Sequence, residues 1–114
     1  EAVCAAVRRP VVVRAGAAGA YVARPSVAAT DAVDEDASHV PTPRVEAIDT
    51  NGAGDAHSGV LAASLAQGIP LGRALLLANC AGALSATVVG PASCPSREEI
   101  EAAANALEAR ADEE

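Results

Sequence analysis

The residues best suited to chemistry lie in one stretch, Asp49-Thr50-Asn51-Gly52-Ala53-Gly54-Asp55. Val45 and Ile48 lead into it as a strand-like segment, and a helical pattern follows, so its glycines fall where a turn opens a helix. The first amides of a helix have no internal partners, and the helix dipole places about half a positive charge at that end. Glycine lets the backbone turn sharply and approach a bound group closely. The amides of Gly52, Ala53 and Gly54 therefore suit an anion hole for a phosphoryl group. Asp55 has two readings. As a first-turn carboxylate it favours the helix. At the rim of an anion pocket, however, a carboxylate repels phosphate unless the chemistry needs it. Phosphoryl transfer does need such a group, to take the acceptor hydroxyl's proton while nearby donors stabilise the moving charge.

Several elements must position this stretch. Residues 1–9 read as the end of a helix that Pro10 stops. Val11, Val12 and Val13 read as a short buried strand. Gly16 and Gly19 punctuate a turn, and Tyr21, Val22 and Ala23 return as a second strand, a hairpin-like pair. Residues 25–38 are polar and acidic and read as a surface loop. Residues 40–48 contain Pro41 and Pro43, so their first half is expected as an edge or irregular strand. Beyond the motif, Val60, Leu61, Ser64 and Leu65 recur at helical spacing over 54–67, and Gly68 suits a C-terminal cap. Pro70 opens a second helix expected over 71–88. Gly90, Pro91 and Pro95 break the chain. Ser96-Arg97-Glu98-Glu99 has the form of a capping box, and Ile100, Ala103, Ala104 and Leu107 give the last helix an apolar face. Strands, a glycine turn and then consecutive helices suit part of an α/β layered domain.

Composition sets outer limits. The 114 residues are enough for one domain, and 51% are hydrophobic, yet Phe, Trp and Met are absent and Tyr21 is the only member of the Phe, Trp and Tyr group. The core must be built from Ala, Val and Leu, which bury little area each at about 25 cal/mol per Å². The net charge of −7 argues against a general nucleic-acid binder, which needs a basic surface. Cys4, Cys80 and Cys94 show no zinc-ligand spacing and read as reduced thiols, pointing to the cytoplasm. No signal peptide is visible, and no apolar run is long enough to span a membrane. The most apolar stretch, 74–89, carries Asn79, Ser85 and Thr87, which suits a buried helix. The first residue is Glu1, which fits the tail of a longer protein.

The string from Asp49 to Asp55 resembles the C-terminal signature D-T-x-G-A-G-D of the ribokinase-like carbohydrate kinases (the PfkB family), and matches it completely. Resemblance extends over nearly the whole chain: Val11, Gly16 and Gly19 look like the family's strand and glycine turn against the nucleotide, Asn79 in Leu77-Ala78-Asn79-Cys80-Ala81 like its adenine-side helix, and 87–100 like its closing loop and last helix. The resemblance implies the C-terminal part of a three-layer α/β/α fold, with residues 1–114 forming a partial kinase domain at the nucleotide and catalytic-base end. It implies transfer of the ATP γ-phosphate to a hydroxyl of a sugar or nucleoside, with Mg2+ accompanying ATP. Asp55 is then the base that touches the acceptor, Gly52, Ala53 and Gly54 the anion hole, and Gly16, Gly19 and Asn79 the nucleotide contacts. Many members also bind a monovalent cation such as K+, mostly through carbonyls; the matching positions are Asp49, Asn51, Ser85, Val88, Gly90 and Ser93. The expected partners are the rest of the kinase domain and a second copy in a homodimer, with neither nucleic acid nor membrane.

The departures are specific. His57 stands where the family often has an aromatic, and reads either as a second titrating group or as a packed neutral imidazole. Arg14 replaces the glycine turn's usual Thr. One residue is missing between Gly90 and Pro95, and the usual basic residue after Thr87 is absent. Asn105-Ala106-Leu107-Glu108 imitates the family's magnesium-linked N-x-x-E but lies on the last helix, after the motif, and is read as coincidence. His39 is expected in a solvated loop, as is the acidic run Asp31, Asp34, Glu35 and Asp36. The family's sugar contacts, lid and N-x-x-E segment have no counterpart here, so the chain by itself is expected to have little activity. The rival expectations are a non-catalytic nucleotide- or anion-binding module and a structural remnant whose glycines only cap a helix. The acceptor stays open among ribose, fructose, a ketosugar acid and a nucleoside.

Overall fold

A computed structural model describes residues 9–23, 38–90 and 93–113. The helix expected over 1–9, most of the 25–38 loop and the acidic run at Asp31, Asp34, Glu35 and Asp36 lie outside the described residues. The chain forms two compact units, Glu1–Val40 and Pro41–Glu114.

The first unit carries an antiparallel sheet of order β1-β2-β3, with β1 at Val11–Arg14, β2 at Ala20–Ala23 and β3 at Ser38–Val40. The β1 and β2 hairpin has the register Val13 opposite Tyr21 and Arg14 opposite Ala20. Its turn is a single 3-10 turn, Gly16–Ala18, closed by Ala15 N donating to Gly19 O at 2.8 Å and Gly19 N to Gly16 O at 3.0 Å. Gly16 and Gly19 adopt positive φ of 55° and 91°, a region costly for residues with a Cβ. Along β2, Ala20 and Val22 are buried and Tyr21 between them faces out, as the pleat requires, while Ala23 at its end is buried too. β1 is less buried than its valines suggest, since Val11 and Val12 are half-buried and Val13 is exposed. His39 is not a loop residue. It lies on β3 opposite Tyr21, with ring centroids 4.9 Å apart, and its Nε2 bonds the Ala18 carbonyl of the glycine turn.

The second unit is three helices, α1 at Ala53–Ala66, α2 at Leu71–Ser85 and α3 at Arg97–Glu113. α2 packs against both of the others. That position explains why Ala74, Leu75, Leu76, Leu77, Ala78, Cys80 and Ala81 are all buried: a helix apolar on every side belongs inside. Each buried leucine contributes about 2 kcal/mol. Burial also pushes the Cys80 thiol up to about 11, against a smaller opposing pull from Arg73. α3 contributes Ile100 and Ala104.

Local chemistry sets the helix ends. α1 stops at Gly68, whose φ of 82° permits paired bonds from Gly68 N to Leu65 O and from Ile69 N to Ser64 O, both 3.0 Å; this is a Schellman motif. Pro70 precedes α2 and its carbonyl accepts Ala74 N at 2.8 Å. Ser96 and Glu99 form the expected capping box: Glu99 N donates to Ser96 Oγ at 3.2 Å and Ser96 N to Glu99 Oε1 at 3.3 Å.

Three expectations need correction. The second helix ends at Ser85 and not at 88, because Thr87 turns its hydroxyl back to Leu84 O at 2.7 Å in a closing turn. Leu65 is exposed; the buried face of α1 runs through Ala56, His57 and Ser64, a helical spacing set one position away from Leu65. Of the edge or irregular strand expected in the first half of 40–48, only Val40 is in a strand, as the last residue of the edge strand β3, and none forms over 41–48. Pro41 and Pro43 have no N–H to give a ladder, and Ile48 N and Asp49 N both donate to Ala86 O, at 2.8 and 3.0 Å.

Candidate functional site

The motif forms a tight turn into α1. Ala53 N donates to Thr50 O at 3.1 Å, with Gly52 between them at φ 90°, ψ −11°, a conformation that favours glycine. Gly52 caps α1 without a side chain, and no side chain caps that end of the helix. The contrast with α3 is direct, since Ser96 and Glu99 close its head. Among the described residues, Gly52 N–H has no hydrogen-bond partner, whereas the Ala53 amide is spent in the turn and is not the open donor expected of it. Asp55 occupies the third helical position of α1 and is exposed, so its carboxylate stands in the first turn, at the positive end of the helix dipole.

Asp49 ties this turn to the segment after α2. Its Oδ1 accepts Asn51 N at 2.9 Å and its Oδ2 accepts Gly90 N at 3.0 Å. The Gly90 amide first, and the Asn51 amide second, hold the carboxyl below its ordinary range. Gly90 adopts φ 111°. Beside it in sequence, Ser93 Oγ donates to Ser85 O at 3.0 Å and accepts the buried Ser85 hydroxyl at 2.8 Å. Of the candidate cation positions, Asp49 thus joins Asn51 and Gly90, and Ser85 joins Ser93, while Val88 is exposed. Among the described residues no three His, Cys, Asp or Glu side chains gather as metal ligands. Among the described residues the side chains thus offer no such set for a divalent ion, and at the candidate positions a monovalent ion would depend on carbonyls.

His57 and Asn79 are both buried, and His57 Nε2 lies 2.9 Å from Asn79 Oδ1. Asn79 Nδ2 donates to Pro41 O at 2.9 Å, and Thr42 Oγ1 to Asn79 O at 3.3 Å. Both polar atoms of the Asn79 side chain are thus engaged inside the second unit. Gly16 and Gly19 belong to the first unit, at the hairpin turn described above. Asn105 and Glu108 bind Arg73 on α2, at 3.2 and 2.6 Å, a clamp between helices. Two features escaped sequence reasoning: the Ala86 carbonyl that receives Ile48 and Asp49, and the seat of Asn79 on Pro41. No residue type announces a carbonyl acceptor, because every residue has one.

The pattern of the pfkB family carbohydrate kinases matches residues 1–107. The chain belongs to the pfkB family. Within that family it is similar to the bifunctional protein HldE of Pectobacterium carotovorum subsp. carotovorum, 46% identical over 74 residues that cover 65% of this chain and 15% of HldE. Its fold is similar to the ribokinase of Thermotoga maritima, with TM-score 0.68, 33% identity, and 82% of this chain and 29% of that one covered. The aminoimidazole riboside kinase of Salmonella enterica, solved with aminoimidazole riboside and an ATP analogue, gives TM-score 0.67 and 29% identity over 82% of this chain and 30% of that one. This pfkB chain therefore matches less than a third of the length of these two kinases. The family's fold mixes helix and sheet, as both units here do together. No helix among the described residues is long and apolar enough to cross a membrane.

Proposed function

We propose that the protein containing this chain transfers the γ-phosphoryl group of ATP to a hydroxyl of a small sugar, with Asp55 as the base. The observation that carries this is the exposed Asp55 in the first turn of a helix whose head is capped by no side chain and begins at left-handed Gly52. ATP supplies the phosphoryl group. Asp55 takes the proton from the acceptor hydroxyl as the new P–O bond forms. The head of α1, with the Gly52 amide foremost, offsets the negative charge on the transferring oxygens. Gly16 and Gly19 are assigned to the nucleotide, since at these two positions of the turn the backbone carries no Cβ and admits a close ligand. Mg2+ is assigned to the nucleotide's phosphates, since the described residues gather no carboxylate set for it. The free thiols of Cys80 and Cys94 support a reducing, cytoplasmic setting.

The test uses the full-length protein with ATP and, in turn, D-ribose, D-fructose and inosine. Asp55→Asn is expected to lower kcat by about 10²- to 10⁴-fold while calorimetry shows ATP affinity retained. Full turnover in the variant would remove Asp55 from the role of base.

A further inference from the structure

The glycine turn of the first unit is held by a side chain from the third strand. Its 3-10 residues, Gly16–Ala18, bury no side chain, and no side chain caps Ala15. Packing of its own side chains therefore does not fix the turn's form. The backbone leaves one peptide able to turn over, the one between Ala18 and Gly19. Gly19 stands at φ 91°, ψ −139°, the mirror image of the extended region, and glycine populates either sign of φ about equally. Turning that peptide over would point its N–H where its carbonyl now points, and would break the bond from Gly19 N to Gly16 O at 3.0 Å. His39 meets the same peptide at its carbonyl end. Its Nε2 faces Ala18 O across 21 residues of sequence, and a carbonyl only accepts, so Nε2 carries the proton and donates. A turned peptide would set Gly19 N–H against His39 N–H, donor against donor. The imidazole is itself placed. His39 stands opposite Tyr21 in the pairing of β2 with β3, and the two ring centroids lie 4.9 Å apart with the planes tilted by 50°.

We propose that His39 is a positioning residue of the nucleotide turn: with its ring held by Tyr21, it fixes the Ala18–Gly19 peptide in one orientation, and so raises affinity for ATP without taking part in phosphoryl transfer. The effect on ATP rests on the assignment of Gly16 and Gly19 to the nucleotide. A turn with two peptide orientations binds through one of them, and its apparent affinity is reduced to the fraction of molecules that hold it. His39 keeps that fraction near one. The ordinary net worth of one hydrogen bond corresponds to about a three- to tenfold change in such a population ratio.

The test uses the full-length protein, with ATP affinity measured by calorimetry and turnover measured with whichever of D-ribose, D-fructose and inosine it accepts. His39→Phe keeps a ring against Tyr21 and removes the donor. It is expected to weaken ATP binding, and to raise KM for ATP, by about three- to tenfold, with kcat and the acceptor's KM held within about twofold. His39→Gln places an amide N–H as many bonds from Cα as the imidazole Nε2, and is expected to restore most of the affinity. Tyr21→Leu is expected to weaken ATP binding less than His39→Phe does, and the two together no more than His39→Phe alone. Hydrogen exchange at the Gly19 amide, followed by NMR in the nucleotide-free protein, reads the peptide directly. It is expected to speed up in His39→Phe and to return to the original rate in His39→Gln. An unchanged Gly19 exchange rate, a loss of affinity that His39→Gln leaves unrescued, or a fall in kcat with KM for ATP unmoved would each overturn the proposal. Faster Gly19 exchange with ATP affinity unmoved would overturn its second half alone: His39 would still hold the turn, and Gly16 and Gly19 would leave the nucleotide site.

Discussion

Asp49 accepts the backbone amide of Gly90 at 3.0 Å across 41 residues of sequence, and that carboxylate's other oxygen holds Asn51 N at 2.9 Å. One side chain therefore fastens the loop entering α1 to the loop leaving α2. The Ala86 carbonyl, which accepts Ile48 N and Asp49 N, makes a second connection between the same segments, so the entry to the turn that carries Gly52 and Asp55 is held twice.

The Asp49 link should be visible in pH dependence. Its carboxyl is held below its ordinary range by the two amides. Stability from a depressed carboxylate is present above the unfolded-state pKa and is lost as pH falls through the folded one. Urea unfolding followed by circular dichroism is expected to show a midpoint that is flat near neutrality and falls below about pH 4. Asp49→Asn keeps one acceptor and loses the other, so its midpoint should be lower at neutral pH and its acid slope shallower. Equal slopes in the two proteins would show that the link contributes nothing.

Two glycines on facing helices should respond to alanine with opposite signs. At Gly59, on the exposed side of α1, an added Cβ meets nothing within 4 Å, and Gly59→Ala should stabilise by about 0.5–1 kcal/mol through helix propensity. At Gly82 the new Cβ would stand 3.3 Å from a backbone oxygen, Ala53 O, which a side-chain rotation cannot relieve. The overpacking cost exceeds the propensity gain, and Gly82→Ala should destabilise by about 1 kcal/mol. Denaturant midpoints of the two variants decide this.

The capping box at the head of α3 has a definite worth. Removing the Ser96 hydroxyl leaves Glu99 N without the bond it makes at 3.2 Å. Ser96→Ala should lower stability by about 1 kcal/mol, and Ser96→Asp should recover most of it. Loss of the hydroxyl without effect on the thermal midpoint would mean that the first turn of α3 is solvated without penalty.

The two described cysteines should differ in reactivity. Cys80 is fully buried and its thiol is pushed up to about 11, so very little is thiolate at pH 8. Cys94 is exposed. Iodoacetamide at pH 8, followed by peptide mass mapping, should label Cys94 in the native protein and Cys80 only after unfolding.

Much of this was written in the residues themselves, because it depends on neighbours a few positions apart. Gly68 ends α1, Ser96 and Glu99 start α3, and Val11 to Ala23 fold back through Gly16 and Gly19, all by local backbone geometry and short-range hydrogen bonds. The glycine turn and Asp55 were legible for the same reason: a turn, an uncapped helix head and a first-turn carboxylate are local facts. What tertiary structure alone decided lies where distant segments meet. The first half of 40–48 suggested an edge or irregular strand, but only Val40 pairs in the sheet, and Ile48 and Asp49 spend their amides on Ala86. Asn79 and His57 became each other's partners only because α1 and α2 pack side by side. A buried polar atom takes whatever donor or acceptor the packing brings within reach, and sequence order does not record which one that is.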